Sequence, residues 1–226
     1  MMTTIENELR EKIREMTIPN QKLVFVHIPK NAGTTVMRWI FDRNKGIAGH
    51  LTADMVNSVK GYENYKNFAF CRNPFDRFIS VYLWRLRKDE LIQSIPIEEV
   101  IERLTNSEIR QPSPSGWELN KNKLDRMFLR QVDWVNKNTI YLGRTESTAQ
   151  HMIQLSETFG LGLMMSKTQT KSHHNKAKSY GPQPKPTKNL VIDILNDSAE
   201  LRKSFFNYYG KDFEHFGYNP PKRLKD

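Results

Sequence analysis

Residues 22–40 read KLVFVHIPKNAGTTVMRWI, an apolar strand-like run that breaks into Pro-Lys-Asn-Ala-Gly-Thr-Thr before a helical pattern resumes. From Val36 onward, Val36, Met37, Ile40 and Phe41, the residue after this stretch, recur at the spacing of one helix face. A strand, a tight turn and a helix N-terminus leave unpaired backbone N–H groups pointing outward, which is a ready-made site for an anion. A lysine, a glycine and two hydroxyls in the turn point the same way. The loop still departs from the GxxxxGK[ST] pattern of ATPases, because Lys30 precedes Gly33 instead of following it.

Working outward, residues 52–59 (TADMVNSV) predict a short helix and residues 66–72 (KNFAFCR) a second apolar strand. In residues 71–87, CRNPFDRFISVYLWRLR, Asn73 is placed to cap a helix that starts at Pro74, with Asp76 in its first turn. Phe75, Phe78, Ile79, Tyr82, Leu83 and Leu86 then trace one apolar stripe, from which Ser80 is displaced. Arg77 on the same helix reads as a structural salt-bridge partner. Ile97, Val100, Ile101 and Leu104 mark a further helix beginning near Pro96, and residues 138–148 (NTIYLGRTEST) a strand entering a helix. In residues 199–218 the rings of Phe205, Tyr209 and Phe213 fall at helical spacing, and core packing accounts for them and for Trp39 and Trp134.

Strands alternating with helices predict an α/β fold, a P-loop-like three-layer arrangement whose central, mainly parallel sheet is flanked by helices, with ligands beyond the carboxyl ends of the strands. The 226 residues suffice for one full hydrophobic core, so a single domain over 1–226 is expected, with a polar N-terminal helix or extension at 1–20. Residues 111–117 read as a loop, and residues 166–188 as a basic loop able to act as a lid.

Lys and Arg outnumber Asp and Glu by 35 to 25, a formal charge of +10 that favours polyanionic partners without naming one. A single cysteine, Cys71, excludes an intramolecular disulfide and any cysteine-rich metal site, and no metal is expected. Residues 1–16 lack the apolar core of a signal peptide, and no run is long enough to span a bilayer. A cytoplasmic location follows for the chain as it stands, with an anchor in a longer parent left open.

An ATP-dependent enzyme needs an acidic residue to hold magnesium, commonly at a neighbouring strand end, where this chain has Arg72. Arginine there offers a bidentate fork to a second phosphate without metal. Two cationic sites at two strand ends suit a nucleotide bearing phosphates at both ends.

The pairing of HIPKNAGTT (27–35) with FCRNPFDRFISVY (70–82) resembles the double signature of sulfotransferases that use 3′-phosphoadenosine-5′-phosphosulfate. Further segments, among them GHLTADM, RQVDW, YLGRTEST, SHHNKAKSY and YYGKDFEHFGY, stand in an order similar to the carbohydrate O-sulfotransferase branch. Asn31 occupies a place where Thr or Ser is commoner, and GRTEST lacks the usual Glu-Asn-Leu ending.

The resemblance implies that Lys30, Asn31, Ala32, Gly33, Thr34 and Thr35 form the 5′-phosphosulfate loop and that Arg72 and Ser80 hold the 3′-phosphate. The product would be 3′-phosphoadenosine 5′-phosphate. Lys30 is the expected electrophilic catalyst, meeting the charge that develops on the bridging oxygen. His50 is the expected general base, because an imidazole with a pKa near ~6.5 accepts protons at pH 7 and the hexuronic-acid 2-O-sulfotransferases carry a base histidine in a similar Gly-His segment. Lys176, Lys178 and Ser179 are assigned to the donor and His50, Asp54, His173 and His174 to the acceptor, while Glu146 matches a family glutamate that supports the site. His27, inside the strand-like run, reads as packing. The acceptor would be a hydroxyl compound, a glycan from the branch resembled, and not nucleic acid. Two other readings stay open: a nucleotide-dependent phosphotransferase, and a non-enzymatic polyanion binder.

Overall fold

Four consecutive apolar residues, Leu23–Val26, are all buried, as a strand covered on both faces requires. They form β2 of the computed structural model, which describes residues 4–42, 49–106, 109, 123–162 and 187–224. The elements in order are α1 (Thr4–Glu15), β1 (Thr17–Ile18), β2 (Leu23–Val26), α2 (Gly33–Phe41), α3 (Ala53–Asn57), β3 (Lys66–Cys71), α4 (Pro74–Arg85), α5 (Glu90–Ser94), α6 (Ile97–Thr105), β4 (Thr139–Arg144), α7 (Thr148–Phe159), α8 (Lys188–Asp197) and α9 (Ala199–Phe216).

The sheet runs β1-β2-β3-β4, with β1 antiparallel to β2 and the other pairs parallel. Phe25 lies opposite Phe68, and Cys71 opposite Arg144, so β2, β3 and β4 end on the same side. This is the expected α/β architecture, a central and mostly parallel sheet with flanking helices. Among the described residues no helix is long and apolar enough to cross a membrane.

The chain groups into two compact units, the first running through residue 72 and resuming at 133, the second holding 73–106 and 187–224 among others. In the first, the core under the sheet includes Phe25, Phe68, Val36, Trp39, Met55 and Met152. Helix α1 contributes Leu9 and Ile13 to it, and Met16 follows directly, all three buried. The charge-rich sequence concealed that apolar face, and the polar extension is in fact an amphipathic helix anchored in the core. Gly143 in β4 packs where a Cβ would fall 2.5 Å from the Phe70 ring, so the absence of a side chain lets the two strands approach.

In the second unit α4 begins as its start signals require. Asn73 Oδ1 accepts from the N–H groups of Phe75 (3.0 Å) and Asp76 (3.4 Å), and Pro74 is the first helical residue. Phe78 meets Phe205 edge-on at 5.4 Å, and Phe205 lies 5.1 Å from Tyr209, so the aromatic spacing of α9 is core packing. On α4, Leu83 is only half-buried whereas Val81 is buried, which widens the expected stripe. Arg77 is buried, and its guanidinium donates to the carbonyls of Leu129 and Met127 at 2.8 Å each, bracing the backbone there. Asp212 accepts from the N–H groups of Gln131 (2.7 Å) and Val132 (2.9 Å), fixing α9 to the segment before β4.

Candidate active site

The turn between β2 and α2 is built on an unusual backbone. Lys30 and Ala32 both take positive φ, 68° and 58°, although neither is glycine. Such conformations cost of order 1–2 kcal/mol per residue and persist where surrounding contacts impose them. One such contact is Asn31, which is buried and donates from Nδ2 to the Phe70 carbonyl at 2.7 Å, while its N–H reaches Ile28 O at 3.3 Å. Asn31 thus stitches the loop to β3, with its side chain turned inward, whereas Thr34 is exposed and Lys30 and Thr35 are half-buried.

The Ala32 carbonyl accepts from the N–H of Thr35 (2.8 Å) and of Val36 (3.1 Å). Thr35 therefore offers a hydroxyl and not its N–H, leaving the N–H groups of Gly33 and Thr34 to head the helix. Together with the dipole of α2 these N–H groups favour negative charge at the helix start.

Gly33 is needed for contact and not for φ. A Cβ there would stand 1.8 Å from His27 Nε2, so the His27 ring rests directly on the Gly33 backbone. His27, the residue after β2, is buried, and burial drives its imidazole well below the ordinary 6.5, with the charges of His50 and Lys30 acting in the same direction. It packs as the sequence implies, at the mouth of the loop.

His50 lies beside it. The two rings are 4.4 Å apart, and His50 Nδ1 is 3.2 Å from the His27 carbonyl oxygen. A carbonyl only accepts, so the contact places a proton on Nδ1, and in the neutral ring Nε2 is then the accepting nitrogen that a general base requires. Trp134, buried, presents its ring at 6.2 Å from His50 in a T-shaped contact that adds an apolar wall.

Arg72 follows β3 directly, and its Nη1 donates to the Lys30 carbonyl at 3.4 Å. The two cations thus stand together at neighbouring strand ends. Arg144, in register with Cys71, ends β4, so a third cation, which the sequence reading passed over, lies along this edge. Its position was implicit in a strand ending in arginine but needed the register to be seen.

The remaining assigned residues are placed differently. Ser80 is half-buried on α4, in the second unit. Asp54 is exposed, and its Oδ1 accepts from Asn136 Nδ2 at 2.7 Å, just ahead of β4 and at the end of the strands opposite Lys30. Its amide partner belongs to a network of Asn57, Asn67 and Asn136 that braces strand starts. Asp54 is thus not gathered with the loop. Glu146 is exposed in the 3-10 turn after β4. Lys176, Lys178, Ser179, His173 and His174, and the loop at 111–117, lie outside the described residues.

A family model described as the sulfotransferase family matches residues 14–219. Searches of curated proteins and of solved structures gave no match. The matched stretch takes in the strand-end loop, the Gly-His segment and the Arg72 motif, which fits the anion-binding geometry at the strand ends. The chain belongs to the sulfotransferase family, whose chemistry is sulfuryl transfer to an acceptor substrate.

Proposed function

We propose that this sulfotransferase takes its sulfuryl group from 3′-phosphoadenosine-5′-phosphosulfate and delivers it to a hydroxyl of a carbohydrate. The observation that carries this reading is the pairing of Lys30 with Arg72, one cation at the end of β2 and one at the end of β3, joined through the Lys30 carbonyl at 3.4 Å. A donor with phosphate at two positions needs two separate cationic holds, and the loop residues fit the first. The α2 N-terminus, headed by Gly33 and Thr34, offers N–H groups for the 5′ side, with hydroxyls from Thr34 and Thr35. Arg72, and Ser80 by its motif, are assigned to the 3′-phosphate, for which a guanidinium is the matching fork.

The donor supplies an SO3 unit already activated by a phosphate leaving group. Lys30 then has one task, to meet the negative charge gathering on the bridging oxygen as the sulfur–oxygen bond opens. His50 Nε2 accepts the proton of the acceptor hydroxyl as the new oxygen–sulfur bond forms. The Trp134 ring gives that base an apolar wall on one side. The excess of positive charge over the whole chain favours an acidic glycan.

The test is transfer of 35S from labelled donor to a panel of glycans and small phenols, run beside transfer of 32P from ATP with magnesium. Label entering a glycan from the sulfur donor alone supports the proposal. Label entering only phenols would overturn the carbohydrate assignment, and label moving only from ATP would overturn the donor.

A further inference from the structure

One buried group near the loop has no task in the chemistry above. His27 is 3% exposed, and its Nδ1 has no hydrogen-bond partner among the described residues. A histidine so placed could be replaced in a purely apolar core by leucine or phenylalanine at less desolvation cost. Its surroundings explain the choice. On one side the ring abuts Gly33, where even a methyl group would collide at 1.8 Å. On another it faces the His50 ring at 4.4 Å and 34°. A third neighbour is Phe25, stacked at 5.6 Å, which ties the ring to the β2 core. Its own carbonyl holds His50 Nδ1 at 3.2 Å.

We propose that His27 is a positioning residue, whose flat ring sets the gap between the anion loop and the His50 base while its carbonyl fixes the base in the Nδ1–H tautomer. The inference rests on the sulfuryl-transfer reading of Lys30 and His50. The size and shape of the ring carry it. A smaller side chain would let His50 and the Gly33 backbone close up, and a six-membered ring would press on Gly33. Charge matters too: the groups facing His27 are Lys30 on the loop and His50 ahead of α3, both able to be cationic, and a third charge between them would push the base and the loop apart. Burial keeps the ring neutral and removes that repulsion.

Two measurements test this. The first is nitrogen-15 NMR of histidine-labelled wild-type protein without donor. His50 should carry its proton on Nδ1 and His27 should stay neutral down to pH 6; a His50 proton found on Nε2 would overturn the proposal.

The second is release of sulfate from 35S-labelled donor, with water as acceptor, in His27→Ala, Gly33→Ala and the double variant. His27→Ala should lose about 10²-fold in kcat, as expected for a misplaced base, with a much smaller change in donor KM, while its His50 keeps the Nδ1 proton because the carbonyl of residue 27 remains. Gly33→Ala alone should lose donor binding through the collision with His27. The double variant, in which the new methyl group enters the space left by the ring, should recover part of the kcat lost in His27→Ala. A folded His27→Ala with full kcat, or a double variant no better than either single one, would contradict the proposal. If wild-type protein releases no sulfate and binds no 3′-phosphoadenosine 5′-phosphate, the donor reading fails, while the NMR result still decides whether His27 fixes His50.

Discussion

His27 is the residue at which packing and electrostatics meet, and its effect extends to stability. In the fold its imidazole is held well below 6.5 by burial, then by His50 and Lys30. In the unfolded chain it returns to about 6.5, so below that pH the unfolded state binds a proton that the folded state refuses. The stabilisation is complete above the unfolded value and is lost as pH falls from there toward the folded one. The slope for one such proton is about 1.4 kcal/mol per pH unit. Urea unfolding at pH 7.5 and pH 5.5 should therefore show a larger acid loss in wild-type protein than in His27→Gln, and equal losses would contradict the buried neutral state. The burial of His27 was legible from its place in an apolar run. Its contact with Gly33 was not, because that depends on how the backbone folds back after β2, which no local pattern encodes.

At the scale of elements, the clearest case is α4. Asn73, Pro74 and Asp76 announced its start, and the Asn73 side chain does accept from two orphan N–H groups there. Replacing Asn73 with Ala should cost about 1 kcal/mol, read as a lowered midpoint in urea with an unchanged m-value. No loss would mean that the cap is idle. Helix α6 was equally legible, since Ile97, Val100, Ile101 and Leu104 are all buried at the spacing the sequence shows. Helix α1 was not, because Glu, Lys and Arg surround Leu9 and Ile13 and lower the mean hydropathy that marks a core segment. The structural role of Arg77 was legible from its place on α4, whereas the two carbonyls it braces, those of Met127 and Leu129, lie about 50 residues away and were not. The strand-end loop was the most informative element, because chemistry and spacing agreed; its paired positive φ values, however, arise from tertiary contacts such as Asn31 with Phe70.

At the scale of the whole molecule, sheet order turns separate sequence motifs into one edge. Parallel β2, β3 and β4 finish together, so Lys30, Arg72 and Arg144 reach the same end of the sheet although long stretches of chain divide them. Alternation of strands and helices made the fold class legible, and the two motifs made the family legible, whereas Asp54 required the register to be seen at the other end. The account depends on Arg72 and Lys30 serving one doubly phosphorylated nucleotide. Titration calorimetry of 3′-phosphoadenosine 5′-phosphate, AMP and ATP against wild-type protein and Arg72→Ala tests this most directly. The account predicts that 3′-phosphoadenosine 5′-phosphate binds wild-type protein about 10²-fold more tightly than AMP or ATP, and that Arg72→Ala loses this preference at a nearly unchanged melting temperature. Equal affinities for the three nucleotides, or a preference that survives in Arg72→Ala, would contradict it.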